Sequence, residues 1–261
     1  RPDGDRVKGL PPVHAIMPFL FPTRTESVVY YEQLVDGARI RPFLEKARAT
    51  TGAKVNLLHL VISAASRILA VERPRMNRFV VGGRIYQRRG VWISYSAKTQ
   101  KTDDGAVVAL KRRYEPAWGL KQIVDVTDGA VSGPRSGKKD TSDKELALAL
   151  ALPAFMTAFF VWLLKTLDKY GLMPRTMIDA DPLYASMFIA NLGSIGMDAP
   201  FHHLYEWGNI PLFVAIGKER DDGLIPFRFT FDERVEDGLY AMKAIALLKT
   251  WLEDPDAHFT L

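Results

Sequence analysis

Residues 231–238 read FDERVEDG and join two elements that the surrounding pattern predicts. Before them, the aromatic and β-branched run LIPFRFTF at 224–231 predicts a β-strand. After them, LYAMKAIALLKTWL carries apolar residues at helical spacing and predicts an amphipathic helix from about Gly238 to Leu252. The chain therefore turns from a strand into a helix through a short segment in which five of eight side chains are charged.

The rest of the chain alternates between further strands and helices. Glycine and proline residues separate these elements and mark the loops. The predicted strands lie at 27–35, 79–86, 91–97, 106–112, 185–190 and 211–217, and the predicted helices at 40–49, 55–71 and 115–127. Strands scattered between helices, without an internal repeat, predict an α+β fold in which helices flank one mixed β-sheet.

We expect an N-terminal arm at 1–26 and one domain at 27–261. The arm is rich in Pro, Arg and Gly, which predicts an extended chain with little helix. Within the domain, residues 128–145 predict a mobile loop. Residues 146–164 carry no charge over 19 positions and predict an apolar helical segment. Three interpretations of that segment are open: a buried or subunit-interface helix, a helix that docks on a membrane surface or a partner protein, and a transmembrane span.

The composition is that of a folded and moderately basic protein. Of the 261 residues, 48% are hydrophobic, which is enough for a sizeable core. The formal net charge of +5 arises from 35 basic and 30 acidic residues, which is typical of ordinary surface charge, and no nucleic-acid partner is expected. The absence of cysteine excludes disulfides, thiolate zinc sites and a cysteine nucleophile. We expect a cytoplasmic protein, with association with a membrane as the alternative.

Four blocks of sequence, taken in order, resemble a known superfamily. Residues 55–86 combine an apolar helix with Pro74, Asn77 and a short hairpin. MFIANLGSIG at 187–196 is a strand and a glycine turn, PLFVAIGK at 211–218 is a further strand, and FDERVEDG is the last block. Together they resemble the catalytic domain of chloramphenicol acetyltransferase and of the dihydrolipoamide acyltransferases of 2-oxoacid dehydrogenase complexes, over most of the chain.

This resemblance implies a mixed sheet flanked by helices, a homotrimer or a multiple of three, and active sites in channels between subunits. A histidine of one subunit would be the general base for a thiol or hydroxyl acceptor. A serine or threonine of the neighbouring subunit would donate a hydrogen bond to the oxyanion. The aspartate four residues after the histidine would be structural and pair with an arginine. Coenzyme A or an acyl-CoA would be a substrate, and no covalently bound cofactor is expected.

The sequence departs from the family pattern at both chemical positions. The motif D-H-R-x-x-D-G aligns its histidine with Glu233 and its second aspartate with Asp237. The motif F-T-I-S-N-L-G aligns its hydroxyl residue with Ala190 and its asparagine with Asn191. The side chains that could replace the lost oxyanion donor are those of Asn191, Ser186 and Ser194.

Two missing groups predict that standard CoA or lipoamide acyl transfer is absent. The domain would then be a trimeric scaffold, or a pseudoenzyme that binds an acyl or CoA-like ligand. Two alternatives are open: an active acyltransferase with Glu233 or His203 as an unconventional base, and a membrane-surface protein anchored through 146–164. A carboxylate is an effective base at neutral pH only if burial raises its pKa. No lipoyl-type module precedes the domain in the sequence, and we expect a stand-alone protein.

The remaining candidate residues are histidines and a basic run. His202 and His203 are adjacent, and on a strand their side chains would point to opposite sides. No third ligand is spaced near them, so no metal site is expected; the open interpretations are loop packing and a channel histidine at His203. His59 lies in an apolar helix and is predicted to be a core histidine. The run at 111–113 (KRR) is predicted to be a solvated face, with a contact to CoA phosphates as the alternative.

Overall fold

The protein is described by a computed structural model that covers residues 1–98, 107–135 and 152–261. The strands in these ranges are β1 (Gly4–Arg6), β2 (Val28–Asp36), β3 (Arg78–Val81), β4 (Arg84–Arg88), β5 (Val91–Lys98), β6 (Val107–Tyr114), β7 (Met187–Asn191), β8 (Leu212–Ile216) and β9 (Leu224–Asp232). They form a six-stranded sheet ordered β2-β9-β8-β7-β5-β6 and a three-stranded sheet ordered β1-β4-β3. In the large sheet β7 is parallel to β5 and β8, and the other pairs are antiparallel. The predicted mixed sheet is confirmed.

Helices pack on one face of the large sheet. The helices of the described residues are α1 (Pro12–Leu20), α2 (Ile40–Thr51), α3 (Leu57–Arg67), α4 (Leu120–Arg135), α5 (Ala154–Lys169), α6 (Arg175–Ala180), α7 (Gly238–Glu253) and α8 (Pro255–His258). Buried side chains of α2, α3, α4 and α7 share one hydrophobic core with the sheet. A π-helical turn (Ile68–Glu72) and two 3₁₀ turns (Pro74–Asn77 and Gly193–Ile195) complete the regular structure.

Strand β9 shows how the sequence assigns the two faces of the sheet. Phe227, Phe229 and Phe231 alternate along it and are at most 2% exposed, because successive side chains of a strand point to opposite faces. These three rings contribute to the core beneath the helices. On the opposite face a smaller cluster forms around Phe188 and Phe213, whose rings stack with centroids 5.0 Å apart. The sheet therefore has one face covered by helices and one face covered by loops.

The helix that follows FDERVEDG begins and ends where its sequence predicts, within one residue. Asp237 is its N-cap, and the carboxylate accepts a hydrogen bond from the backbone N–H of Tyr240 at 2.9 Å. Ala241, Ile245 and Leu248 recur at helical spacing and are buried in the core. The Asp237 cap and the buried apolar face of α7 together fix the direction in which the chain leaves the sheet.

The prediction of little helix in the N-terminal arm is wrong. Helix α1 occupies nine residues of the arm, and β1 pairs with β4 to extend the small sheet. Pro12 lies in the first turn of α1, where its missing N–H is not needed. The loop predicted at 128–145 is also partly wrong, because α4 continues to Arg135. The remainder of that loop, 136–145, lies outside the described residues.

The apolar segment predicted at 146–164 is helical where the structure describes it. Residues 146–151 lie outside the described ranges, and α5 begins after Pro153 and continues to Lys169. Phe155, Phe159 and Trp162 are 74%, 55% and 59% exposed on this helix. Among the described helices none has the length and apolar character needed to cross a membrane.

Candidate functional site

The turn after β9 is held by an ion pair between its first and third charged residues. The Arg234 Nε and Nη2 atoms donate to the two Asp232 carboxylate oxygens at 2.8 and 2.7 Å. Ser27 Oγ donates to the same carboxylate at 3.0 Å, and Arg234 Nη1 donates to the Phe21 carbonyl at 2.8 Å. Asp232 and Arg234 are 1% and 3% exposed. The backbone of the turn is therefore fixed by buried, charge-assisted hydrogen bonds.

Glu233 lies between these two buried residues in sequence and takes no part in their ion pair. Its backbone N–H donates to the Ser27 carbonyl at 3.0 Å, which fixes the position of its Cα. The side chain is half-buried, and its carboxylate makes no hydrogen bond or ion pair with any described residue. Glu233 is therefore a positioned but unengaged carboxylate within the described part of the chain.

The arginine pairing implied for Asp237 is found one residue earlier. Asp237 is exposed and caps α7, without an ion pair to a described residue. Glu236 is fully buried, and its carboxylate lies 3.2 Å from Arg75 Nε and 3.3 Å from Arg78 Nη1. His14 Nε2, on α1, lies 3.8 Å from the other oxygen of that carboxylate. Glu236 thus ties the turn to α1 and to the start of β3.

Strand β7 places Asn191 at its end and Ala190 on the loop-covered face. Ala190 packs against the cluster around Phe188. The Asn191 Oδ1 atom accepts from the Ser194 backbone N–H at 3.2 Å, and Ser194 Oγ donates to the Asn191 carbonyl at 2.8 Å. Ser186 is fully buried, and its hydroxyl accepts from the Trp92 N–H at 3.0 Å. Both serine hydroxyls are therefore engaged with neighbouring backbone, and Asn191 keeps its Nδ2 group as a donor.

Asn191 and Glu233 lie at opposite ends of the sheet. Asn191 pairs across the sheet with Ile216 of β8. Ile216 in turn pairs with Phe227, near the start of β9. Asp232, which precedes Glu233, is five residues further along β9, or about 17 Å at the rise of a strand. One copy of the chain therefore does not bring these two candidate residues together.

His203 is not on a strand, so the expectation of opposite-facing histidines is wrong. His202 and His203 lie in a loop, and their rings stack with centroids 4.6 Å apart. The ring of His202 stacks in turn on Phe213, and its Nδ1 atom lies 2.7 Å from the His203 carbonyl oxygen. This arrangement is loop packing on the sheet face. His203 is exposed, and no contact within the described residues joins it to Glu233 or Asn191.

Lys111 is buried, so the expected solvated face at 111–113 is wrong at its first residue. Lys111 is 8% exposed, and its ammonium group donates to the carbonyls of Ile178, Asp181 and Tyr184. Burial lowers the pKa of Lys111 to about 8. Three carbonyls at the end of α6 thus take the place of water around the ammonium group.

The sequence predicts no metal site and places His59 in the core. In the described ranges, no group of three His, Asp or Glu residues is arranged to hold a metal ion. His59 is fully buried and forms a capping box with Asn56 at the start of α3. Its Nε2 atom lies 3.5 Å from an Asp128 oxygen, and burial lowers the pKa of its imidazole. His59 is the core histidine that the sequence predicts.

No protein-family model and no curated protein matches the sequence, but solved structures match its fold. A probable dihydrolipoamide acetyltransferase from Listeria monocytogenes 4b F2365 is 14% identical, with a TM-score of 0.63 over 99% of this chain and 98% of that chain. The dihydrolipoamide acetyltransferase of Azotobacter vinelandii is 19% identical, with a TM-score of 0.60 over 96% and 93%. The protein therefore has the fold of an acyltransferase catalytic core.

A chloramphenicol acetyltransferase shares this fold as well. It is 13% identical, with a TM-score of 0.54 over 93% of this chain and 92% of that chain. The fold resemblance inferred from the four sequence blocks is confirmed. The exchange of histidine for Glu233 stays a prediction, because it rests on the motif alignment alone.

Proposed function

We propose that the protein is an acyltransferase-like pseudoenzyme that assembles as a homotrimer or a multiple of three. It does not carry out standard acyl transfer between CoA and a lipoamide or hydroxyl acceptor. Its role is that of a scaffold, or of a protein that holds an acyl or CoA-like ligand in a channel between copies.

One observation carries this proposal: the turn around Glu233 is intact while its chemistry differs. The buried pair of Asp232 and Arg234 would hold a base in place, yet the position carries a carboxylate. At the oxyanion position Ala190 has no donor. The Ser194 hydroxyl already donates to the Asn191 carbonyl, and Ser186 is fully buried, so neither is presented to a ligand as a replacement donor. A rigid turn whose motif positions carry neither a histidine nor a hydroxyl supports a binding or scaffold role.

Assembly is supported by two features of the single chain. First, Asn191 and Glu233 lie at opposite ends of the sheet, so a site that uses both must combine two copies. Second, large apolar side chains are exposed on two helices. They are Val13, Ile16, Phe19 and Leu20 of α1, and Phe155, Phe159 and Trp162 of α5. Exposed large apolar side chains clustered on a helix are typical of a surface that a partner copy or a membrane covers.

Acetyl transfer tests the pseudoenzyme proposal. We expect no transfer from acetyl-CoA to dihydrolipoamide or chloramphenicol above background. The second candidate is a carboxylate-base acyltransferase, which is favoured by the absence of any described partner for Glu233. It predicts turnover in the wild type that disappears in Glu233→Gln. That result would contradict the pseudoenzyme proposal.

Phe159→Asp distinguishes assembly from membrane docking. If α5 packs between copies, the charge breaks the assembly or lowers solubility, because an unpaired buried charge is costly. If α5 docks on a membrane, the variant keeps its mass by light scattering and loses only co-sedimentation with vesicles. Leu239→Asp is the matched control, since Leu239 is 69% exposed at the start of α7. An assembled protein that never binds vesicles, with either variant, contradicts both roles for α5.

A further inference from the structure

A cavity of about 520 Å³ lies beside the turn, between α1, the β3–β4 hairpin, the C-terminal half of α5 and the loop before β8. This volume falls in the range of small-molecule sites, roughly 300–1,000 Å³. Arg234 contributes to its wall, whereas Glu233, Asn191 and Ala190 do not. The cavity thus adjoins the turn through Arg234 but contains none of the three residues at the positions of the family's reacting groups.

Arg24 lines this cavity as a buried cation without a direct ion pair among the described residues, although the carboxylates of Asp232, Glu206 and Asp168 lie near enough to act on its charge. It is 6% exposed, and its Nη1 and Nη2 atoms donate to the carbonyls of Tyr205 and Gly208, each at 2.7 Å. Both acceptors are neutral, and Arg24 forms no ion pair with a described carboxylate. Burial lowers the pKa of Arg24. A buried guanidinium is normally paired with an anion, and this one has N–H groups left to donate.

Tyr184 supplies a second unmatched polar group in the same wall. It is 3% exposed, and its hydroxyl makes no hydrogen bond with any described residue. Burial raises the pKa of Tyr184 far above its usual value, so the phenol keeps its proton and remains a donor. The hydroxyl is therefore free to donate a hydrogen bond to an acceptor that occupies the cavity.

Two of the other charged groups of the cavity wall are ion-paired: Asp168 with Arg1 at 2.7 Å and Arg234 with Asp232. Glu206 accepts only from Thr25, at 2.9 and 3.0 Å, and has no ion-pair partner among the described residues. Lys165 and Lys169, one turn apart on α5, are exposed and likewise have no described ion-pair partner. The unpaired charges of the wall are therefore one carboxylate against three cations, Arg24 included, and the balance is positive.

Apolar side chains form the rest of the wall. They are Pro18, Phe19, Pro22, Val80, Val81 and Trp207. We propose that the cavity binds a small carboxylate with an apolar body, which places its carboxylate against Arg24 and Tyr184 and its body along Phe19 and Trp207. Lys165 and Lys169 at the rim attract the anion. This site goes beyond the proposed acyltransferase-like function and does not depend on it.

Octanoate is a suitable probe because it combines a carboxylate with an apolar chain. Isothermal titration should give saturable binding of one octanoate per chain. Octanamide, which has the same chain without the charge, should bind at least tenfold more weakly, since the buried guanidinium then lacks its anion. Inorganic phosphate, a charge without a chain, should not compete. Equal affinity for octanoate and octanamide, or no saturable octanoate binding, overturns the proposal.

Two matched pairs of variants locate the binding. Tyr184→Phe should weaken octanoate binding several-fold without lowering the melting temperature, because the hydroxyl that it removes has no protein partner. Tyr114→Phe should lower the melting temperature and leave octanoate binding unchanged, because the Tyr114 hydroxyl bonds Thr127 at 2.9 Å inside the core.

The double variant Lys165→Gln with Lys169→Gln should weaken octanoate binding about tenfold, because it removes two exposed charge interactions. Lys54→Gln with Lys243→Gln makes the same change in net charge elsewhere and should have no effect. Loss of binding in all four proteins alike would overturn the assignment.

Discussion

The Arg234 guanidinium meets the Asp232 carboxylate through two short hydrogen bonds, and both side chains are almost completely buried. Glu233 stands between them in sequence, and its carboxylate forms no hydrogen bond or ion pair with a described residue. The conformation of the turn is therefore fixed by Asp232 and Arg234 and not by the Glu233 side chain. Chemistry at position 233 can change without loss of the local backbone.

Removal of Arg234 should therefore destabilise the fold strongly. Arg234→Met leaves Asp232 as an uncompensated buried charge, and we expect a loss of about 3–5 kcal/mol in the free energy of unfolding. Urea titration measures it. The control is Arg39→Met, whose ion pair with Asp254 has side chains that are 70% and 49% exposed. It should cost about 1 kcal/mol or less, and equal losses in both variants would contradict the structural role of Arg234.

Restoring the histidine alone should not restore acyl transfer. Losing an oxyanion donor costs about 10²–10³ in rate, and losing the general base costs about 10²–10⁴ more. Glu233→His supplies the base, while Ala190 still lacks a donor. Only the double change Glu233→His with Ala190→Ser should give measurable acetyl-CoA turnover. Activity in the single variant would show that another group already serves as donor.

Lys111 should make stability depend on alkaline pH. Its pKa is about 8 in the folded protein against 10.5 in the unfolded chain, because burial disfavours the charged form. The unfolded state then binds more protons between these values, so the free energy of unfolding rises with pH across that window. The full gain is at most about 3 kcal/mol. Denaturant titrations at several pH values should show this rise in the wild type and not in Lys111→Met; parallel pH profiles would contradict it.

Gly82 should tolerate no side chain, because α5 approaches its backbone. It has a φ of +58°, and a Cβ atom there would lie 2.4 Å from the Lys169 carbonyl oxygen. Gly9 has a similar φ of +69°, with nothing near its Cβ position. Gly9→Ala should cost about 1 kcal/mol from backbone strain alone, and Gly82→Ala about 1–3 kcal/mol more from the forced shift of α5. Equal losses in the free energy of unfolding for the two variants would show that α5 shifts to accommodate the Cβ atom without an energetic penalty.

The sequence predicts most strands of the large sheet, because the residues in those segments favour a strand and the fold places a strand there. The runs around Phe188, Phe213 and Phe229 are apolar, and glycines bound them, so their strands could be placed within about two residues. Helix α1 was missed, since prolines at 11, 12 and 18 are typical of an extended arm. Pro12 instead begins a helix, and that distinction depends on where the first turn falls.

The sequence predicts which residues belong to the candidate site, but it does not predict where they lie in the fold or what surrounds them. The motif identifies Glu233 and Asn191, but only strand register shows that they lie at opposite ends of the sheet. The burial of Lys111 could not be predicted, because the carbonyls of residues 178, 181 and 184 that surround it are distant in sequence. Arg24 lay in the arm that was expected to be extended, so its burial carried no sequence signal.

The separation of Asn191 from Glu233 has a genetic consequence. If copies assemble so that the end of β7 in one meets the end of β9 in another, a copy that keeps only Glu233 and a copy that keeps only Asn191 still form one complete ligand-binding pair. Two alleles, each unable to bind the ligand by itself, would then complement each other in mixed assemblies. A genome that encodes two diverged versions of such a chain would possess a binding site that neither gene product forms in isolation.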